Sequence, residues 1–507
     1  MHSTAINHVA IVGGGTAGWL TACVIAAHHR SADGGVRVSL IESSTIPTIG
    51  VGEGTWPTMK NTIQSIGIRE SELFRRCHAA FKQGGKFVEW VHGNGDFYYH
   101  PFTVPLGYGR LDLAPYLDDI EQFAIAANYQ QQVCEAGLAP RTLAENEYSG
   151  SCNYAYHVDA GALGELLRDH GIEKLGIEHI VDTVADVHIA ANGDIAELQL
   201  ESRGTFTADL FVDCTGFRAR LLGDAMGVQF RDVDDVLFND RALAMQVPYE
   251  RDDSPLASHT IATAQNAGWI WDIGLTHRRG VGHVYASEYL SDDEAENNLR
   301  RYVGPAANGL DARMIRFRSG HRERFWVGNC VAVGLSAGFV EPLEATAIML
   351  VEISARAIAD NLPPSRATLD ITARRFDQQM HYRWRRIVDF LKLHYALTKR
   401  PEPYWQAHAN PSTWPESLVE DLALWRSRGP IKADFDSAIE LFPAASYQYV
   451  AYGMGFKPEF ERAAYLHRQT DQAVQIQSRN DQLAEQMLRT LPPHREYIKR
   501  WLANDKH

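Results

Sequence analysis

The opening of the chain constrains its fold more than any later stretch. "HVAIVGGGTAGWLTACVIAAHH" reads as a buried strand, a glycine turn and a helix, and "VRVSLIESS" as the next buried strand. Gly13, Gly15 and Gly18 are spaced GxGxxG between that strand and that helix. The first glycine suits a tight turn, the second an approach of backbone to a pyrophosphate, and the third close packing of helix on strand. The phosphates would then sit at the helix N-terminus. Glu42 ends the second strand, 24 residues beyond Gly18, where an acid can bind a ribose hydroxyl. A parallel dinucleotide-binding sheet follows from this pattern. "DLFVDCTG" (Asp209 to Gly216) ends a later strand in a turn of small residues.

Further along, residues 60–83 look helical, "AYHVDAGALGELLRDHG" gives another helix, and strands are expected near "EHIVDTVADVHIA", "GDIAELQLES" and "GNCVAVGLSAGF". The "DLFVDCTG" turn resembles a segment of FAD enzymes of the glutathione-reductase type, which favours FAD over NAD. The expected fold class is α/β, with mixed sheets and helices in a glutathione-reductase-type FAD-binding fold. From about residue 370 the pattern turns helical. We therefore expect an FAD-binding and catalytic body over 1–370 and a mainly helical, substrate-side region over 371–507.

With 507 residues the chain exceeds one simple core. Its net charge of −14 disfavours nucleic acid and anionic membranes as partners. No apolar stretch is long enough to span a bilayer, and the N-terminus lacks the basic flank of a signal peptide. Six scattered cysteines without a CxxC pair fit reduced thiols better than disulfides or a metal site, so a cytoplasmic location is expected.

"GWIWDIG" (Gly268 to Gly274) places Trp269 and Trp271 two apart. In a strand they share a face, and the alternating, β-branched flanks predict a strand here, with both indoles forming one flat wall. Taken alone, that wall could be a simple core face.

"GGGTAGW", "IPTIGVGEGTWPT" (Ile46 to Thr58), "AAFKQGGKFVEW" (Ala79 to Trp90), "GWIWDI" and "GFVEPLEATAI" (Gly338 to Ile348) occur in the order found in the flavin-dependent tryptophan halogenases, which this chain resembles from residue 8 to about 405. Two positions depart from the family pattern: Gly274 stands where proline is usual, and Ala347 where glycine is usual.

The resemblance implies an FADH2-dependent halogenase. In that family a flavin C4a-hydroperoxide, formed with O2, oxidises chloride or bromide to hypohalous acid, which travels through a tunnel to a lysine beside the organic substrate. It implies Lys82 of "AFK" as that lysine, with Lys86, one helical turn on, as the alternative. Glu344 of "EPLE" would stabilise the cationic ring and take its proton, Glu341 being the alternative. Thr346 and Ala347 would bind halide through backbone N–H groups. Thr16, Ala17, Glu53, Leu335 and Ile348 match flavin contacts, with Val184 at the adenine ribose end. Trp269 and Trp271 would wall the tunnel, while His100 and Phe102 would sandwich the substrate.

No second GxGxxG fold follows residue 18, so FADH2 should come from a separate flavin reductase. A single-component FAD monooxygenase is the rival reading; it would reduce its own flavin and ignore halide. A non-catalytic flavoprotein would have no use for Lys82 and Glu344 together. The family's aromatic-rich lid, which grips the amino-acid end of tryptophan, has a short counterpart here. "ADFDSAIELFPAASYQYVAYGMG" (Ala433 to Gly455) offers one carboxylate, Glu440, between "FDS" and "GMG". An open pocket is expected, taking free indole or a similar small aromatic at C3, with bromide accepted best.

Overall fold

A computed structural model describes residues 5–30, 35–44, 52–436, 438–460 and 468–505. The first part of the "IPTIGVGEGTWPT" motif, residues 46–51, and Ser437 of "FDS" lie outside the described residues. The chain forms two compact units, each assembled from three segments: 1–79, 158–233 and 317–384 in the first, and 80–157, 234–316 and 385–507 in the second. The division thus differs from a single boundary at residue 370.

The first unit is built on a six-stranded sheet. Strand His8–Val12 is buried throughout and pairs in parallel with Leu210–Asp213 on one side and Arg37–Glu42 on the other. Cys330–Ala332 and Glu178–Val181 extend the parallel sheet, and the short strand Trp326–Val327 closes one edge antiparallel. Such strands are covered on both faces, which explains their continuous apolar runs. Helices Thr16–His28, Ala160–Glu173 and Thr346–Asp360 belong to this unit and pack together. Two small antiparallel sheets complete it, one of them from Val184–Ile189, Ile195–Leu200 and Gly204–Phe206.

The second unit is built on a seven-stranded sheet with the order Arg313–Arg316, Arg241–Pro248, Arg278–Tyr285, Trp269–Gly274, Thr260–Ala264, Gly84–Val88 and Phe97–Pro101. One pair, Thr260–Ala264 with Gly84–Val88, is parallel. One face carries Leu243, Met245, Ile270 and Val281 against Ala295, Leu299 and Val303 of helix Asp292–Val303. Ser291 and Glu294 start that helix with reciprocal caps. Trp269 and Trp271 alternate with Ile270 and so occupy the opposite face. Among the described residues beyond 396, regular structure is helical, with Pro403–Ala409, Glu416–Arg428, Ala444–Gly453, Thr470–Thr490 and His494–Asn504. No helix among the described residues is long and apolar enough to cross a membrane.

Three sequence expectations need correction. The helix expected over 60–83 is two helices, Thr58–Ser65 and Glu70–Arg76, followed by the strand Ala80–Lys82. The helix expected at "AYHVDAGALGELLRDHG" begins only at Ala160, after the strand Ala155–Asp159. The Asp159 carboxylate accepts the Ala162 N–H at 3.2 Å and caps the helix there. The two indoles do not form one flat wall: the Trp269 and Trp271 rings meet edge to face at 63°, with centroids 6.4 Å apart.

Candidate active site

Glycine geometry at the first βα turn sorts the three fingerprint positions by role. Gly13 has φ +115°, and a Cβ there would lie 2.2 Å from the Cys214 carbonyl oxygen. A Cβ on Gly18 would meet the Gly13 carbonyl oxygen at 1.8 Å, so helix and turn are in direct contact. At Gly15 an added Cβ meets nothing within 4 Å. Gly15 is also the N-cap of helix Thr16–His28, with no side chain capping it. The turn is therefore closed where it must pack and open where a pyrophosphate would approach. This cradle fits the diphosphate of FAD.

Glu42 stands beside the cradle. His179 Nε2 donates to its Oε1 at 2.6 Å, and a Cβ on Gly14 would collide with the Glu42 side chain. Gly14 thus has a packing reason that the GxGxxG spacing does not reveal. Thr16 Oγ1 donates to the Ala160 carbonyl at 3.1 Å. Ala17 touches the Gly334 turn, where an added Cβ would come within 2.8 Å of it, and Leu335 follows in that same turn, Gly334–Ser336. At the end of the neighbouring strand, the buried Asp213 carboxylate accepts the N–H groups of Thr215, Leu221 and Leu222 and the Thr215 hydroxyl at 2.6–3.0 Å. Burial pushes its carboxyl up, against the pull of those donors. Glu53 lies in strand Gly52–Gly54 and Val184 opens strand Val184–Ile189, both half-buried.

"GFVEPLEATAI" forms the second element of the first unit's site. Ala345 adopts φ +55°, ψ 39°, a left-handed conformation costly for a non-glycine residue, and starts helix Thr346–Asp360 without a side-chain cap. The first-turn N–H groups of Thr346 and Ala347 are therefore offered as donors at a helix N-terminus. Glu344 is 5% exposed, and its carbonyl accepts Trp56 Nε1–H at 2.6 Å. Glu341 is fully buried, and Ile348 packs one turn into the helix. Trp56 was not singled out from sequence; its place in the "GEGTWPT" motif was the available signal.

The second unit holds the remaining candidates. Lys82, 4% exposed, ends strand Ala80–Lys82, with Nζ 5.3 Å from the Phe102 ring centroid. His157 pairs with Ala80 in the adjacent strand and shares a face with Lys82. Burial first, and then the nearby Lys82 charge, hold the His157 imidazole well below its ordinary range. Lys86 is not one helical turn from Lys82. It lies on the next strand, Gly84–Val88, and pairs with Glu135 at 2.6 Å.

His100, 1% exposed, packs against Phe390 at 5.6 Å and Tyr449 at 6.3 Å. Trp269 joins a buried aromatic cluster with Trp90, whose other neighbours include Trp405, Tyr395, Phe87 and His394. Trp271 packs over Gly282, where a Cβ would come within 2.1 Å of the indole. Gly274, at the proline position, is similarly crowded, with Leu256 2.6 Å from an added Cβ. Flavin and halide candidates thus all fall in the first unit together with Glu344, and Lys82, His100, Phe102, Trp269 and Trp271 all in the second. Among the described residues no cluster of His, Cys, Asp or Glu is placed to hold a metal.

Known proteins match this arrangement along its whole length. A family model for tryptophan halogenase covers residues 8–470. The crystal structure of a tryptophan halogenase from Shewanella frigidimarina superimposes with a TM-score of 0.94 at 42% identity, over 99% of this chain and 98% of that one. The 7-chloro-L-tryptophan 6-halogenase KtzR of Kutzneria sp. is 34% identical over 98% of this chain and 99% of its own. BrvH, a flavin-dependent halogenase from Brevundimonas sp. BAL3, is 30% identical with a TM-score of 0.86, over 98% and 99% of the two chains. The open cradle at Gly15, the uncapped N-terminus at Thr346 and the buried Lys82 therefore belong to a flavin-dependent halogenase, and the chain is a member of the tryptophan halogenase family.

Proposed function

We propose that this enzyme takes FADH2 from a separate flavin reductase and halogenates a small electron-rich aromatic, free indole at C3 above all, with bromide accepted best. The Gly13–Gly18 cradle would hold reduced FAD, which with O2 would supply the oxidising equivalent that converts halide to hypohalous acid. The N–H groups of Thr346 and Ala347 hold the halide. Lys82 holds the hypohalous acid against the ring, as an ammonium donating to its oxygen or as an amine that takes up the halogen. With the ammonium, the new carbon–halogen bond forms as the halogen–oxygen bond breaks, and the ammonium proton turns the departing hydroxide into water. With the amine, a nitrogen–halogen bond forms first with loss of water, and the carbon–halogen bond forms as that nitrogen–halogen bond breaks and the nitrogen regains a proton. Glu344 stabilises the cationic ring and accepts its proton. His100 and Phe102 orient the aromatic, and Trp269 and Trp271 keep it from the flavin.

The observation that carries the substrate reading lies in Ala433–Gly455. A free amino acid needs partners for its ammonium and carboxylate once desolvated. The Glu440 carboxylate accepts the N–H groups of Leu441 and Phe442 and pairs with Arg386 at 3.5 Å, its side chain 4% exposed. The Tyr449 hydroxyl donates to the Thr103 carbonyl, and that of Tyr452 to Asp112. These groups are engaged within the protein, which supports a substrate without an amino-acid end. An open pocket orients its guest weakly, so C3, the most nucleophilic carbon of indole, should react.

The test is LC–MS of indole and L-tryptophan with FAD, NADH and an added reductase, in chloride and in bromide. Bromoindole should dominate, and omission of the reductase should abolish product. Selective chlorination of tryptophan on its benzo ring, with better kinetics than indole, would overturn the substrate reading. Fast flavin reduction by NADH without reductase would favour the monooxygenase.

A further inference from the structure

Lys82 ends a strand of only three residues, and its neighbour Phe81 is held from an unexpected direction. Strand Ala80–Lys82 pairs with Ala155–Asp159, Phe81 lying opposite Tyr156. The Phe81 N–H does not donate to that partner. It donates to Nε2 of His494, 413 residues later, at 3.0 Å. His494 Nδ1–H in turn donates to the Leu256 carbonyl at 3.1 Å. A backbone amide can only donate, so Nε2 carries no proton and the ring is a neutral, single tautomer. Burial agrees, pushing the imidazole down to about 4.

Side chains reinforce this grip from the same helix, His494–Asn504. The Phe81 ring lies 5.8 Å from both His494 and Tyr497. The buried Arg141 guanidinium lies 5.2 Å from the Phe81 ring and 4.5 Å from Trp501, and Arg141 Nε donates to the Tyr497 hydroxyl at 2.6 Å. Phe81 and Lys82 point to opposite faces of the strand, so fixing one fixes the direction of the other.

We propose that His494 is a positioning residue for Lys82: by accepting the Phe81 N–H it fixes the strand that aims the Lys82 amine at the aromatic substrate. This rests on the assignment of Lys82 to halogen delivery. Hypohalous acid made in a molecule whose Lys82 is misaimed escapes instead of reacting.

The test uses full-length His494→Ala, His494→Asn, His494→Gln and Lys82→Ala, with FAD, reductase and bromide. The aromatic is indole or L-tryptophan, whichever the wild type converts better. Two readouts are taken: the ratio of aryl bromide to hypobromous acid captured by a thiol trap, and amide hydrogen exchange in a peptide spanning Phe81. Gln can place an acceptor near the Nε2 position, whereas Asn is too short. Ala and Asn should lower the ratio on the order of ten- to a hundredfold, the scale of an ångström-level misplacement, with a smaller change in KM for the aromatic. They should also speed exchange at Phe81, and Gln should recover most of both. Equal ratios in Asn and Gln would overturn the proposal, as would a loss in all three that merely follows melting temperature. If His494→Ala does not fold, the Asn–Gln pair decides alone. A wild-type ratio in Lys82→Ala would instead remove Lys82 from halogen delivery, and the positioning role with it.

Discussion

The indole of Trp56 donates to the backbone carbonyl of Glu344 at 2.6 Å, within the first unit. That carbonyl immediately precedes Ala345, whose left-handed backbone sets the start of helix Thr346–Asp360. The bond therefore fixes the peptide that aims both the Glu344 carboxylate and the Thr346 and Ala347 N–H groups. Trp56→Phe keeps most of the ring's apolar bulk and leaves the carbonyl buried without this donor, a cost of about 1–3 kcal/mol. We expect a melting temperature several degrees lower and a several-fold rise in KM for bromide. Unchanged bromide dependence in a folded Trp56→Phe variant would detach Trp56 from the halide site.

Lys82 and Lys86 part company through their surroundings. Lys82→Ala should lower halogenation by roughly two orders of magnitude or more. Lys86, paired with Glu135 and 20% exposed, should contribute less than about 1 kcal/mol to stability and nothing to turnover. Steady-state product formation by the two alanine variants checks this. Activity lost in Lys86→Ala and kept in Lys82→Ala would exchange the assignments.

The legible parts of this molecule are those where one local pattern has one physical meaning. A strand–GxGxxG–helix run specifies a parallel sheet and an open turn, and the tryptophan alternation at 269–271 specifies a strand. Residues 77–83 read as helical because the helical neighbour, Glu70–Arg76, continues into a mixed sequence. The break is set by tertiary pairing of Phe81 with Tyr156 and by Gly84, whose φ of +156° and 2.5 Å approach to the His100 carbonyl leave no room for a Cβ. Long-range partners were invisible for the same reason. Nothing in the sequence near Glu42, Glu344 or Phe81 indicates that His179, Trp56 and His494 complete them.

Buried neutral histidines should make the fold acid-sensitive. Burial lowers His259, His283 and His494 to about 4. Between about pH 6.5 and 4 the unfolded chain takes up protons that the folded protein refuses, so stability falls as pH falls through that window. At pH 5 these three residues together should take up about 2.6 protons on unfolding. Melting temperature against pH, with proton uptake measured by buffer-dependent calorimetry, checks the number. Uptake near zero would mean that these rings are protonated in the folded state.

Glu352 reverses that sign and shares a helix with the proposed halide donors, Thr346 and Ala347. It lies on helix Thr346–Asp360, 4% exposed, with Thr62 Oγ1 donating to Oε1 at 2.7 Å and Thr58 Oγ1 donating to Oε2 at 3.4 Å. Burial pushes its carboxyl up to about 8, against the hydrogen bonds from Thr62 and Thr58. The folded protein thus holds a proton that the unfolded chain gives up near pH 4.5, and stability is lost as pH rises from there through about 8. Glu352→Gln keeps an acceptor for Thr62 and removes the titration. It should stabilise the fold by a few kcal/mol at pH 8 and by little at pH 4. A functional consequence follows from the shared helix. Thr346 lies six residues, about 9 Å, before Glu352 along the axis. A carboxylate appearing there above about pH 8 would oppose an anion at the helix N-terminus by on the order of 1 kcal/mol. KM for bromide should therefore rise several-fold in the parent between pH 7 and 9 and stay flat in Glu352→Gln. Parallel pH profiles for the two proteins would show that Glu352 ionises without acting on halide.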